Sequence, residues 1–546
     1  MEYIKEIYTK YVGENRFYFF VKLLLTLFFS ITITLDKMLV FNGDLFSKIN
    51  ESYFLDLKPQ HVLFFFIIWI ITFIITTVIE KGVDKLEGNI YNKQQERKSI
   101  KIFFAIPVVL ILLWLPYILS YFPGGLYIDT MSSIWQAIGW QELHNQHPLL
   151  YTLIIKTFVL VFGVEVALKF FSIAQVIAMS TIISGFIYWL YRKNIRYIYI
   201  VLVTLFFGIF NLIPLYAVSI WKDVPFCLAL FLLVLLIAEI VYQNSRNIKY
   251  KKTILFYAIV ITLVNFFRNN GIHITIVVTL MLFLIYRKNV KMKWFMIISG
   301  AVIAISIFVQ GYVFNRLDLN ITGTNTISVP LQQVAYVVAT DGNLTDEQVD
   351  FINEMCHVET IKELYCPMVV DSLKDPSIFN DKFLHKNQTE FLKLWFQIFL
   401  QNPKAYIEAY LLNTLGFWDV NKSHMTAYIS AENWGLPSEL TISEQKDYIQ
   451  RVTGLSIREN ITPTKAISSA VFLFILLFSM LITIYKKRYK NLLIYMPALL
   501  TWLTIMVATP LAFSLRYVYI LVLMVPFSAL IPFLKTKEEN AIDLIK

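Results

Sequence analysis

Apolar runs of 15 or more residues recur along the chain, near 17–40, 61–79, 102–121, 149–163, 166–191, 197–213, 224–242, 253–267, 272–286, 294–314, 466–485, 492–509 and 517–533. A helix needs about 20 apolar residues to cross a bilayer. Most of these runs approach that length, so the pattern predicts an all-α, polytopic membrane protein. No sequence-level repeat divides the chain into halves, so the inverted repeats of many transporters find no sign here.

The polar segments between the runs set the orientation. Segments 80–101, 191–196, 244–252, 286–293, 486–490 and 534–546 hold 24 of the 48 Lys and Arg. Short basic loops stay on the cytoplasmic side, so all six are expected there. That places a parity condition on the runs between them. If both 149–163 and 166–191 crossed, the YRKNIR segment would fall outside and everything after it would invert. The 15-residue run 149–163 is therefore expected to be interfacial or re-entrant. The count becomes twelve crossings with both termini inside, or thirteen if 149–163 crosses.

Composition agrees with this class: 57% of residues are hydrophobic and 16% charged, with a mean hydropathy of +0.61. The net charge of +10 does not point to nucleic acid, because the basic residues are confined to short loops. No small-residue cleavage site follows the N-terminal polar stretch, so the first run is expected to be an uncleaved span. Three cysteines make no disulfide framework; Cys356 and Cys366 share one polar segment and are expected as free thiols.

Segment 315–463 is different in kind. It carries 19 of the 38 acids against 11 Lys or Arg, which marks it as a soluble unit on the outer face. TDEQVDFINEM has Thr345 and Gln348 at capping-box spacing. QTEFLKLWFQIFLQ is amphipathic, and NPKAYIEAYLLNTLGFW is expected as a helix from Pro403 to near Gly416. The expected organisation is a membrane module over 1–314, an outer, mainly helical domain over 315–464, and C-terminal spans over 465–546.

Chemistry concentrates in the loop 122–148, FPGGLYIDTMSSIWQAIGWQELHNQHP. It has no Lys or Arg, and it gathers Asp129, Glu142, His144 and His147 beside a membrane segment. Asp129 suits proton abstraction or cation binding; a helix cap is the plainer use of an acid there. His147 precedes Pro148, a pairing that also opens helices. The i,i+3 spacing of His144 and His147 without a third ligand is weak support for a metal, although a divalent cation is compatible with the acids. Parity brings Lys222 and Asp223 of SIWKDVPF, Arg268 and Asn269 of FFRNNGI, and Arg516 of FSLRYVY to the same outer face. The cations suit a phosphate or pyrophosphate. Ion pairs that only hold the bundle together are the competing explanation. No Walker loop, dinucleotide fingerprint, HExxH or nucleophile elbow occurs.

YIDTMSSIWQA followed by HPLLYTLI, together with WKDVPF, RNNG, SVPLQQVAYVV and FSLRYVY, resembles the GT-C superfamily of integral-membrane glycosyltransferases, and within it a bacterial, largely uncharacterised polytopic branch. The resemblance spans the membrane core and is one of short patterns. It implies a sugar donor carried on a polyprenyl phosphate, a glycan or glycolipid acceptor, and a site facing outside the bacterial cytoplasmic membrane. It also implies Asp129 as the catalytic carboxylate, with Lys222, Arg268 and Arg516 on the donor phosphate. Glu142, His144, His147, Asp223 and Asn269 are the expected substrate-positioning residues. The chain has one Asp in the loop where some relatives pair two acids, which leaves metal dependence open. The expected reaction is inverting transfer with Asp129 as general base. A polysaccharide polymerase or ligase using a pyrophosphate-linked glycan, and a lipid-linked sugar flippase, are the alternatives.

Overall fold

The computed structural model describes residues 16–40, 54–92, 98–126, 128–319, 327–375, 377–423, 447–461, 467–508 and 511–537. Lys93, Arg97 and Lys546 of the basic segments, and the N-terminal lead into the first span, lie outside these residues.

The first two helices, α1 (Arg16–Met38) and α2 (Pro59–Glu87), with the paired strands β1 (Leu39–Val40) and β2 (Phe54–Leu55) between them, form a hairpin that is polar inside and apolar outside. Tyr18, Lys22, Thr26, Ser30 and Thr34 recur every four residues, so they share one face of α1, and that face is the buried one. Lys22 Nζ pairs with Glu80 at 2.8 Å and donates to Thr77 at 2.7 Å, while Trp69 donates to Thr26 at 3.1 Å. Phe17, Phe20, Phe66, Ile70 and Ile74 are exposed. The arrangement suits lipid, in which polar side chains find partners only on a neighbouring helix.

Helix α3 (Lys101–Ser120) is followed by the two-residue strand β3 (Gly125–Leu126), α4 (Ile128–Ile138) and α5 (Leu149–Phe162). Then come α6 (Val164–Arg192), α7 (Tyr197–Ile209), α8 (Leu212–Ala217), the strand β4 (Ser219–Ile220) and α9 (Asp223–Tyr242). The run expected over 197–213 is thus broken, because Phe210 turns extended between α7 and α8. Helix α9 is apolar on every side, and it is correspondingly buried, against α6, α10 (Lys251–Phe267) and the C-terminal helices. Helices α11 (Gly271–Tyr286) and α12 (Met292–Phe308) complete the first module.

Helix α5, expected to be interfacial or re-entrant, is a 14-residue apolar helix. It packs on the first turns of α6, through Tyr151 and Phe158 on Phe171 and Phe162 on Phe170. At that level of α6, Gln175 donates to the carbonyls of Tyr216, Ala217 and Ser219, beside β4. Helix α5 therefore packs near the β4 end of α6, and α6 runs on to Arg192.

Among the described residues, seven helices are long and apolar enough to cross a membrane: α1, α2, α3, α6, α9, the stretch Met292–Arg316 and the stretch Tyr489–Val507. That is fewer than the twelve expected from the runs, because turns and capping residues trim the others to shorter apolar helices such as α7, with 13 residues, and α11, with 16.

The segment expected outside the membrane, 315–464, is mainly helical among its described residues. Helix α13 (Ser328–Ala339) lies at its centre against α15 (Val358–Leu364), α17 (Gln388–Gln401) and α18 (Pro403–Asn413), with α14 (Asp346–Met355) and α16 (Asp381–Lys386) outside. The capping box forms: Thr345 accepts from Gln348 N, and Gln348 accepts from Thr345 N. Helix α18 ends at Asn413, before Gly416. That glycine packs backbone to backbone on Phe513, where a Cβ would lie 2.4 Å from the Phe513 Cα. Cys227, Cys356 and Cys366 are buried, and none of them is in a disulfide. The chain ends in α19 (Tyr448–Thr453), α20 (Arg458–Ile461), α21 (Ser469–Tyr485), α22 (Leu492–Val507) and α23 (Ile520–Leu530).

The described parts of the basic segments gather at one end of the bundle. Lys486 and Arg488 pair with Glu87, Lys490 donates to Asn244, and Asn289 donates to Ser245. Tyr91 bridges to Ile195, and its hydroxyl reaches Phe533 O.

Candidate functional site

The opposite end holds the site, and a two-rung backbone ladder builds it. Gly124 takes φ +136°, and a Cβ there would lie 2.8 Å from Val218 O, so only glycine lets the loop approach. Gly125 N then donates to Val218 O at 3.0 Å, and β3 pairs in parallel with β4, Gly125 to Ser219 and Leu126 to Ile220. The ladder delivers both chains in step. Asp129 emerges in the first turn of α4, where the helix dipole favours an anion. Lys222 caps α9 and Asp223 sits in its first turn. Thr130 donates to Ile220 O, which closes the junction.

Two cations converge on one oxygen of Asp129. Arg516 Nη1 lies 2.7 Å from Oδ2, and Lys222 Nζ lies 2.9 Å from the same atom. Arg516 comes from the short turn Leu515–Val518, where its guanidinium lies over the Trp221 ring at 4.4 Å and the Tyr517 ring at 4.9 Å. Arg268, in extended backbone at the end of α10, pairs with Asp223 at 3.3 Å and donates to Tyr517 O at 3.2 Å. Asp223 Oδ2 is buried with no hydrogen-bond partner among the described residues, its nearest cation being Arg516 Nε at 3.9 Å. Three cations thus face two carboxylates in one cluster, and the Asp129 side chain keeps 14% exposure. The cluster is reachable.

Burial alone would raise the Asp129 carboxyl, but the Arg516 guanidinium and then the Lys222 ammonium overcome it and hold the group well below the usual carboxylate range. His147 is pushed down to about 3, by burial first and by Lys222 second. Its ring is therefore neutral near pH 7 and accepts the Lys222 hydrogen bond at Nδ1.

The structure brings together five of the expected site residues: Asp129, His147, Lys222, Asp223 and Arg516, with Arg268 joining through Asp223. His144 stands beside them; its N–H donates to Gln136, and burial lowers its ring. Glu142 and Asn269 are exposed, and no described contact carries either one into the cluster. No group of three or more His, Cys, Asp or Glu converges among the described residues, so a divalent cation finds no ready ligand set there.

Sequence reasoning missed Trp221, Tyr517 and Asp371. The first two are adjacent to Lys222 and Arg516, so an aromatic neighbour beside each outer cation was the available signal. Asp371 has electrostatic contact with Arg516, Asp129 and Lys222 from the outer domain, and no local pattern marks it.

No curated protein and no solved structure matches the chain. One family does, with a match that starts just after Asp129 and includes His147, Lys222, Asp223, Arg268 and Arg516. Residues 134–543, well over half of the chain, match the family of unknown function DUF6020, and the chain belongs to that family.

Proposed function

We propose that this protein is a GT-C type glycosyltransferase of the bacterial cytoplasmic membrane, which moves a sugar from a polyprenyl phosphate to an extracytoplasmic glycan or glycolipid. The observation that carries the reading is the cluster in which Lys222 and Arg516 share Asp129 Oδ2 beside the Arg268–Asp223 pair. Its one surplus cation favours a singly charged phosphodiester over a pyrophosphate, and so a lipid-phosphate sugar over the donor of a polymerase or ligase.

The basic end supports the orientation, since short basic loops remain cytoplasmic and the cluster then faces outward. In this reading α7, α10, α11, α21 and α23 also cross, which with the seven longer helices gives twelve crossings. An apolar cleft of about 720 Å³ between α1, α2, α21 and α23 fits a lipid chain; Thr26, Phe29, Phe474 and Phe478 line it.

In this mechanism the donor phosphate takes Lys222, Arg268 and Arg516 as counter-ions. Losing two cations restores the basicity of Asp129, which is a weak base while both sit on it. Asp129 then accepts the proton of an acceptor hydroxyl as that oxygen attacks the anomeric carbon, and polyprenyl phosphate leaves with its charge already matched. A single displacement inverts the anomeric centre.

The test is release of polyprenyl phosphate by the purified protein in nanodiscs, from a panel of polyprenyl-phosphate hexoses. No release from any of them, with acceptor present, would sink the reading. Consumption of a pyrophosphate-linked glycan would move it to a polymerase, and donor movement across liposomes without release would move it to a flippase.

A further inference from the structure

Asp371 opens the short turn Asp371–Leu373, and that turn is fixed from two sides. On the membrane side, Ala512 N donates to Met368 O at 2.9 Å and Val369 bridges to Leu511, four and five residues before Arg516. On the domain side, Gln332 donates to Cys366 O at 3.0 Å and Lys374 donates to Ser328 at 2.9 Å. The Asp371 side chain is 62% exposed, with Lys374 Nζ at 3.8 Å.

Its charge is felt inside the cluster. Asp371 interacts electrostatically with Arg516, Asp129 and Lys222, and with the Tyr517 hydroxyl. Asp371 is thus an acid on the water side of the cluster, carried by a different domain from the three cations.

We propose that Asp371 is an acceptor-binding residue, whose carboxylate receives hydrogen bonds from the hydroxyls of a polyhydroxylated acceptor arriving from water. The assignment rests on the sugar-transfer reading of the same site. An anion beside the phosphate subsite disfavours the donor's own charge, so Asp371 has no use on the donor side. A carboxylate with two acceptor-only oxygens suits a partner rich in hydroxyl donors. The site then has two poles: cations at the ends of the spans for the lipid phosphate, and an acid on the outer domain for the acceptor.

Two variants test it, in nanodiscs, with farnesyl phosphate as the probe of the phosphate pole and methyl hexosides as surrogate acceptors for a polyprenyl-phosphate hexose. Asp371→Asn is expected to raise the half-saturating acceptor concentration about tenfold or more, the loss of a hydrogen bond to a charged group. Its kcat should stay within about threefold, well short of the loss expected for a missing base. Asp371→Lys is expected to tighten farnesyl phosphate severalfold at low salt and less at high salt, because only a nearby charge is screened in that way. Unchanged acceptor saturation in the first variant, or unchanged farnesyl phosphate affinity in the second, overturns the assignment. If wild type itself binds no farnesyl phosphate, the reading of the whole site falls, and Asp371 falls with it.

Discussion

Arg516 donates to Asp129 Oδ2 at 2.7 Å across 387 positions of sequence, so the turn Leu515–Val518 closes on α4. The pair is mostly buried and is shared with Lys222. Its proposed chemistry rests on that sharing: a carboxylate held ionised by two cations, each of which the donor phosphate would draw away in the proposed reaction.

Asp129→Asn keeps the shape of the side chain and removes its proton affinity. Sugar transfer is expected to fall about a hundred- to ten-thousand-fold, the usual loss for a missing general base. Farnesyl phosphate binding should persist or tighten, because Lys222 and Arg516 lose their competing anion. Asp129→Glu should also be impaired, since one more methylene displaces the oxygens. Turnover by Asp129→Asn near the wild-type rate would leave Asp129 as a helix-terminal acid that organises two cations.

Arg516 presents a planar fork between two aromatic rings, and a lysine there offers a point charge without the stacking. Arg516→Ala is expected to lose most activity and most affinity for farnesyl phosphate, and Arg516→Lys to recover only part of both. Equal phosphate affinity in wild type and both variants would reduce Arg516 to a structural partner of Asp129.

His147 gives a pH signature of definite sign. An unfolded histidine takes its proton near 6.5, whereas the folded one refuses it until about 3. Between those values the unfolded chain binds the extra proton, so stability falls as pH drops below 6.5. Asp129 does not contribute to this slope: its stabilisation is lost only once pH falls below the ordinary carboxylate range. Thermal melts in detergent at pH 7 and pH 5 should show a larger loss for wild type than for His147→Asn. Equal losses would contradict a neutral, buried His147.

Orientation is open to thiol labelling, since the three native cysteines are buried. Arg192 lies at the basic end and Glu363 in α15, and both are exposed. In intact cells a cysteine at Glu363 should react with a membrane-impermeant maleimide, and one at Arg192 should not. The reverse pattern would turn the whole bundle over.

Much of the fold was legible because membrane solvent simplifies the code. Apolar length marked the helices, and basic loops predicted a shared end, which Lys486, Arg488, Tyr91 and Asn289 now occupy together. Helix lengths were overestimated, because an apolar run does not announce where backbone turns, as at Phe210. The cluster was legible only in outline. Asp129, Lys222 and Arg516 were expected on one face, but their convergence on a single oxygen depends on long-range packing. Glu142 and Asn269 were chosen by proximity in sequence, and no described contact places them in the cluster. Asp371 was out of reach, since its place depends on how a separate domain docks onto Leu511 and Ala512.

The two rungs joining Gly125–Leu126 to Ser219–Ile220 act as a ruler. Asp129 follows the ladder by three residues and Lys222 by two, so the reach between acid and ammonium is set by backbone before any rotamer is chosen. Slipping the ladder by one residue would slide one chain about 3.3 Å along the other and turn its side chains to the opposite face. That step is longer than the 2.9 Å contact it would have to preserve. One residue inserted on either side of this short splice would leave every functional group present and still part the acid from its cations.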